Sequence, residues 1–247
     1  MSLVWERRVR GTHYQVRRAG RSLRLYTNGV FHSQYNPARP VTGSVWDLLL
    51  LPAFFYPPGA LRRVLVLGVG GGAVIQQLRR FIQPDSLVGV ELSEVHLSIA
   101  RRFFGVAGDD VQLERANAVD WMKTYRGAGF DMIIDDLFGD YEGEPQRSVT
   151  ADVAWVSSLC RCLNPGGMMV SNFASSLELE VSAYRLDPVC RRRFDAAFQL
   201  STAQNHNAVG VFLRRPATTR QLRERLKRVP LLDPRKPAGM CYRIRTL

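Results

Sequence analysis

Residues 64–72 read VLVLGVGGG, and the next apolar stretch, LVGVE over 87–91, closes on Glu91. An unbroken apolar run of this kind predicts a strand buried on both faces, as in a parallel sheet covered by helices. The glycines after it let the chain turn sharply and let backbone approach a ligand where a Cβ would collide. Glu91 follows about twenty residues on, at the tip of the next strand, where a carboxylate can accept hydrogen bonds from both hydroxyls of a ribose. Together these features point to a small-molecule ligand of the adenosine type.

Working outward, strands and helices alternate. Strands are predicted over 64–67, 87–91, 111–115, 130–135 and 168–172, with helices over 73–81, 93–104, 118–125 and 150–162 between them. This order implies an α/β fold, a doubly wound Rossmann-like sheet of parallel strands with its ligand at their C-terminal ends. Before it, residues 1–35 alternate in short segments, and Asn28 followed by Gly29 is a strong turn signal, so a small antiparallel β region is expected. Residues 45–55 are apolar at helical spacing but contain Pro52, and the PPG at 57–59 marks a linker. After the sheet, 182–194 is helical in part, broken by Pro188, and 198–201 and 208–213 are two closing strands. The expected organisation is an N-terminal β-rich region with a connecting helix (1–56), a nucleoside-binding domain (57–215) and a basic C-terminal extension (216–247).

The net charge is +12, and lysine occurs only at 123, 227 and 236, so the excess is arginine. Clustered arginine suits a polyanion, but no zinc-finger or RNP-type motif accompanies it, which leaves nucleic acid a weakly supported partner. No apolar run reaches the roughly 18 residues of a membrane span, and residues 1–10 lack a signal-peptide core, so a cytoplasmic protein is expected. Cys160, Cys162, Cys190 and Cys241 show no paired spacing and read as buried free thiols. No metal-ligand pattern is seen. His96 is expected to be exposed, and His206, in QNHN, to lie in a turn within reach of the cleft mouth.

The sequence from Gly68 to Ala73 also fits the GxGxxA pattern of nicotinamide enzymes, a weak match alone. The whole series VLVLGVGGG, LVGVELS, VQLERANAVDWM, FDMIIDD and LNPGGMMVSN resembles the successive motifs of class I S-adenosylmethionine-dependent transferases. Within these it is most similar to the spermidine synthase (polyamine aminopropyltransferase) family, with LYTNGVFH at 25–32 standing for that family's LYLDGVxQ-like segment. The resemblance covers roughly residues 20–215. It implies that Gly68, Gly70 and Gly71 form the cofactor loop, that Glu91 binds the ribose, and that Asn117 and the amide of Ala118 contact adenine. It also puts Asp136 on the first carboxylate of the family's DSSDP loop, as a catalytic and cofactor-binding residue.

The departures carry as much meaning. Gly71 replaces the aspartate of the family's GGGDG motif, and Gly139 replaces the second aspartate of DSSDP, with Asp140 one residue later as a substitute catalytic carboxylate. GSVWD at 43–47 replaces a YHE-like segment, and His32 a glutamine. Glycine at 71 leaves room, and removes a negative charge, for the carboxylate of intact S-adenosylmethionine. On that ground the sequence favours methyl transfer to an unknown acceptor. Two alternatives stay open. One is polyamine aminopropyl transfer from decarboxylated S-adenosylmethionine, with methylthioadenosine as the other ligand. The other is a non-catalytic binding or assembly module. A homodimer is the assembly considered.

Overall fold

Four antiparallel strands, β1 (Ser2–Val9), β2 (Thr12–Ala19), β3 (Ser22–Thr27) and β4 (Val30–Tyr35), form a meander that opens the chain. Asn28 and Gly29, both with positive φ, make the β3–β4 turn. The computed structural model describes all residues except Glu142 and Ala238, and of Asp140 it describes the backbone only. A short helix, α1 (Val45–Leu50), tightens into a 3₁₀ turn at Leu51–Phe55. Pro52 accounts for the change, since it cannot donate to a continuing α-helix.

The central sheet is built from β5 (Arg63–Leu67), β6 (Ser86–Glu91), β7 (Val111–Arg115), β8 (Phe130–Asp135), β11 (Leu163–Phe173), β12 (Ala196–Ser201), β13 (Ala208–Leu213) and β14 (Arg243–Thr246). Their spatial order is β14-β12-β13-β11-β8-β5-β6-β7. Helices α2 (Ala73–Phe81), α3 (Glu94–Phe104), α4 (Ala118–Thr124) and α5 (Val153–Cys162) connect the parallel strands. Three short helices, α6 (Ser176–Glu180), α7 (Ala183–Leu186) and α8 (Pro188–Arg191), lead from β11 to β12. Alternate residues of each central strand enter opposite cores. Val64, Val66, Met132 and Ile134 face one, and Leu65, Leu67, Val90 and Ile133 the other. Each such side chain contributes about 1.5–3 kcal/mol by leaving water, which is why these strands read as unbroken apolar runs.

The core strands are parallel as expected, and the closing strands, whose direction the sequence left open, are not. β13 runs antiparallel to both β11 and β12, and β14 antiparallel to β12. Residues 202–207 are too few for the crossover that a parallel pair needs. The segment after residue 215 returns to the sheet: α9 (Thr219–Leu226) buries Leu222 and Leu226 in the first core, and β14 extends the sheet edge. Cys160, Cys162 and Cys190 are buried free thiols as expected, but Cys241 is exposed. Among the described residues, no helix is long and apolar enough to cross a membrane.

β5 is the pivot. The chain moves from it to β6 and β7 on one side, then returns to place β8 and β11 on the other. Such a switch point leaves a crevice at the strands' C-terminal ends. A hairpin absent from the sequence reading, β9 (Phe138–Tyr141) and β10 (Glu144–Arg147), follows β8 and stands over this crevice.

Candidate active site

The glycine loop after β5 forms the floor of a cleft of ≈ 430 Å³. Gly68 has φ +87°, and a Cβ there would lie 2.1 Å from the carbonyl oxygen of Asp136, so only glycine lets β5 and β8 end side by side. The Asp136 amide donates to the Leu67 carbonyl (2.9 Å) and locks the two strand ends together.

Glu91 sits at the tip of β6. One carboxylate oxygen accepts from the amides of Val69 (3.1 Å) and Gly70 (2.9 Å), and the other from the Ser93 amide (2.9 Å). It therefore holds the glycine loop in shape while lining the cleft. Burial pushes its pKa up, but His96 and the amides of Ser93 and Gly70 outweigh that and hold the carboxyl below the usual range. His96, contrary to expectation, is buried. Its Nδ1 lies 3.6 Å from Glu91, and its Nε2 hydrogen-bonds Thr27 Oγ1 at 2.8 Å, which couples the N-terminal sheet to the cleft.

Asp136 is the second carboxylate. Its Oδ1 accepts from Asn172 Nδ2 (2.8 Å), whose own Oδ1 accepts from Asn207 Nδ2 (3.0 Å). Burial drives its pKa up from 3.8 to about 6. The Asn172 hydrogen bond opposes the rise, and neighbouring Asp135 and Glu91 add to it. Asp135 points away from the cleft into a buried ion pair with Arg147 (2.6 Å), which also donates to the Asn172 carbonyl. That pair ties the end of the hairpin to the tip of β8.

The remaining wall comes from Phe31 and His32 of β4, Trp46 of α1, Phe138 and Glu144 of the hairpin, and the loop 204–207. Glu91, Asp136 and Glu144 are the charged residues of the described lining, and no lysine or arginine is among them, in a chain of net charge +12. Such a cleft suits a cationic ligand.

Of the residues singled out from sequence, Gly68, Gly70, Glu91 and Asp136 come together in this cleft. Gly71, Asn117 and Ala118 do not line it. Asn117 is the N-cap of α4, its Oδ1 accepting from Val119 (2.9 Å) and Asp120 (3.3 Å), so its acceptor is already engaged. Ala118 is buried behind it in the second core. A Cβ at Gly71 would meet Ser33 Cβ at 2.8 Å and Phe104 at 3.0 Å. The expectation that glycine leaves room there fails, because Ser33 and Phe104 fill the space. The side chain of Asp140 lies outside the described part of the structure. Asn172 was not singled out, although it ends an apolar strand as Glu91 does. His206 lines the cleft with Asn205 and Asn207.

No protein-family model matches the chain. Among curated proteins it is 30% identical over 106 residues to "Polyamine aminopropyltransferase 2" of Caldanaerobacter subterraneus subsp. tengcongensis, a match covering 42% of this chain and 35% of that protein. Among solved structures it superposes on a probable spermidine synthase from Corynebacterium glutamicum with TM-score 0.74 and 16% identity, covering 100% of this chain and 91% of that one. It also superposes on a spermidine synthase in complex with the transition-state analogue AdoDATO, with TM-score 0.69 and 10% identity, covering 97% and 80% of the two chains. The chain is spermidine synthase-like, on a class I methyltransferase-like fold.

The chain spans between a third and a half of the length of the curated relatives it matches first. Two carboxylates matched to motifs of the spermidine synthase family, Glu91 and Asp136, line the cleft. At Gly139 an added Cβ would meet Ser148 Oγ at 3.0 Å. Neither Gly71 nor Gly139 is among the residues that line the cleft.

Proposed function

We propose that this cleft transfers an aminopropyl group from decarboxylated S-adenosylmethionine to an amine. The observation that carries the reading is the charge of the lining: three carboxylates and, among its described residues, no lysine or arginine beside the histidines His32, His96 and His206, in a strongly basic protein. Both the sulfonium donor with its free ammonium and an amine acceptor are cations, and such a wall attracts them. The spermidine synthase-like sequence and fold support the same choice. Methyl transfer was favoured because glycine at 71 leaves room and removes a negative charge; Ser33 and Phe104 fill the room, and Glu91, Asp136 and Glu144 keep the lining acidic without an aspartate there.

The chemistry asks little of the protein beyond alignment, exclusion of water and one proton acceptor. Glu91 binds the ribose hydroxyls while its backbone donors keep the glycine loop against the ligand. The acceptor nitrogen attacks the methylene carbon bonded to the sulfonium. The N–C bond forms, the C–S bond breaks, and the sulfur leaves as a neutral thioether. Asp136 takes the proton from the nitrogen. A pKa near 6 leaves it ionised at neutral pH yet basic enough to accept. Asn172 fixes its orientation, and the hairpin shields the reacting atoms.

The test is turnover of decarboxylated S-adenosylmethionine with putrescine by the wild type and by Asp136→Asn. The reading expects product from the wild type and a loss of about 10²–10⁴-fold in the variant. Equal rates in the two would remove Asp136 from the reaction.

A further inference from the structure

A second groove, of ≈ 700 Å³, lies at the opposite end of the sheet and shares no lining residue with the cleft. It opens where β5 is about to begin, at Leu61, and where α2 ends, at Phe81. Its floor is apolar, formed by Phe54, Leu61, Phe81, Ile82 and Val229. All five are continuous with the first hydrophobic core.

Its rim is cationic. Arg220, Arg225 and Arg228 line it from α9 and the residues after, and Arg215 stacks on the ring of Tyr56, another wall residue, at 5.0 Å. Among the described residues, none of these four arginines forms a salt bridge. Glu224, the carboxylate of the described lining, is bridged to Lys227 instead. Arg225 is anchored by donating to the carbonyls of Phe54 and Phe55. Burial, then the nearness of Arg215 and Arg228, lowers its pKa. The cations are crowded around an apolar floor and outnumber the carboxylate beside them, Glu224, which Lys227 already bridges.

We propose that this groove binds a single-chain amphiphile with one carboxylate head. The tail lies on Phe54 and Phe81, and the head sits between Arg220 and Arg228. Its volume falls within the range of sites for one small ligand. A guanidinium fork matches a carboxylate with two parallel hydrogen bonds. A concave, core-continuous floor suits an isolated chain and not the flat face of a bilayer. The inference is independent of the chemistry proposed for the cleft.

The experiment is calorimetric titration of the full chain with dodecanoate below its micelle-forming concentration. Dodecyltrimethylammonium, which has the same tail and a cationic head, is titrated in parallel. Both arginines are exposed, so the Arg220→Ala, Arg228→Ala double variant should keep the wild-type melting temperature, which serves as its folding control. Saturable one-to-one binding of dodecanoate, weakened at least about tenfold in the double variant and absent for the cationic amphiphile, is the expected result. No saturable binding by the wild type, equal affinity for the two heads, or unchanged affinity in the double variant would overturn the proposal. Binding to phosphatidylglycerol vesicles without binding to monomeric dodecanoate would also overturn it, and would assign the arginines to a membrane surface.

Discussion

Asp136 is held in a state that costs the fold stability. Its pKa in the folded protein is raised from 3.8 to about 6, so the native state binds more protons than the unfolded chain between those values. Stability therefore falls as pH rises from about 4 to about 6, and the deficit persists above that. Asp136→Asn keeps an acceptor for Asn172 and removes the buried charge. We expect it to stabilise the protein by about 1–3 kcal/mol at pH 7.5, with the gain vanishing near pH 4. Denaturant unfolding of both proteins at the two pH values checks this, and equal stability at pH 7.5 would contradict it. In the same range kcat/KM of the wild type should fall as pH drops below about 6, where Asp136 takes up its proton. At Glu91 the carboxylate serves both the ligand and the loop amides of Val69, Gly70 and Ser93, so truncation to alanine would confound the two roles. Glu91→Gln preserves the size and one accepting oxygen, enough for the Val69 and Gly70 amides, and gives up the Ser93 acceptor along with the charge; an unchanged melting temperature serves as its control for the loop. The substitution should weaken methylthioadenosine binding by about 1.5–3 kcal/mol, and calorimetric titration showing no change would remove Glu91 as the ribose ligand.

The β9–β10 hairpin, which supplies Phe138 and Glu144 to the cleft, is an element the sequence did not disclose. Residues 136–149 carry no alternating apolar pattern, because both strands of the hairpin are short and largely polar. What holds the hairpin is Arg147 at its end, in ion pair with Asp135 of β8 and also donating to the carbonyls of Val149 and of Asn172 in β11. Arg147→Met should destabilise the protein by about 3–5 kcal/mol, since it strands a buried carboxylate. Adding Asp135→Asn should return part of that loss. A double-mutant cycle in denaturant measures the coupling, and additive effects would mean that the pair does not anchor the hairpin. Asn117 teaches a related lesson. A polar residue at a strand tip reads equally well as a ligand or as the cap of the next helix, and only the positions of the Val119 and Asp120 amides identify it as the cap.

Across the whole molecule, the Rossmann-like core was legible in the sequence because its strands are covered on both faces and its glycines answer to backbone crowding, as Gly68 does against Asp136. The reversed strand β13 and the return of β14 to the sheet edge were not. They depend on which edges remain open once the parallel core has formed. Glu91 and Asp136 were legible one by one, but Glu144 and the charge of the cleft as a whole were not. Net charge is a property of the surface, and here the basic side chains lie outside a lining that holds Glu91, Asp136 and Glu144. That contrast is the basis for choosing an aminopropyl donor over a methyl donor, and the products decide it. The purified chain is incubated with putrescine and, in separate reactions, with decarboxylated and intact S-adenosylmethionine, and the nucleoside released is identified by mass spectrometry. The account predicts methylthioadenosine, matched mole for mole by an aminopropylated amine, from the decarboxylated donor alone. S-adenosylhomocysteine from the intact donor, with no reaction of the decarboxylated one, would contradict it.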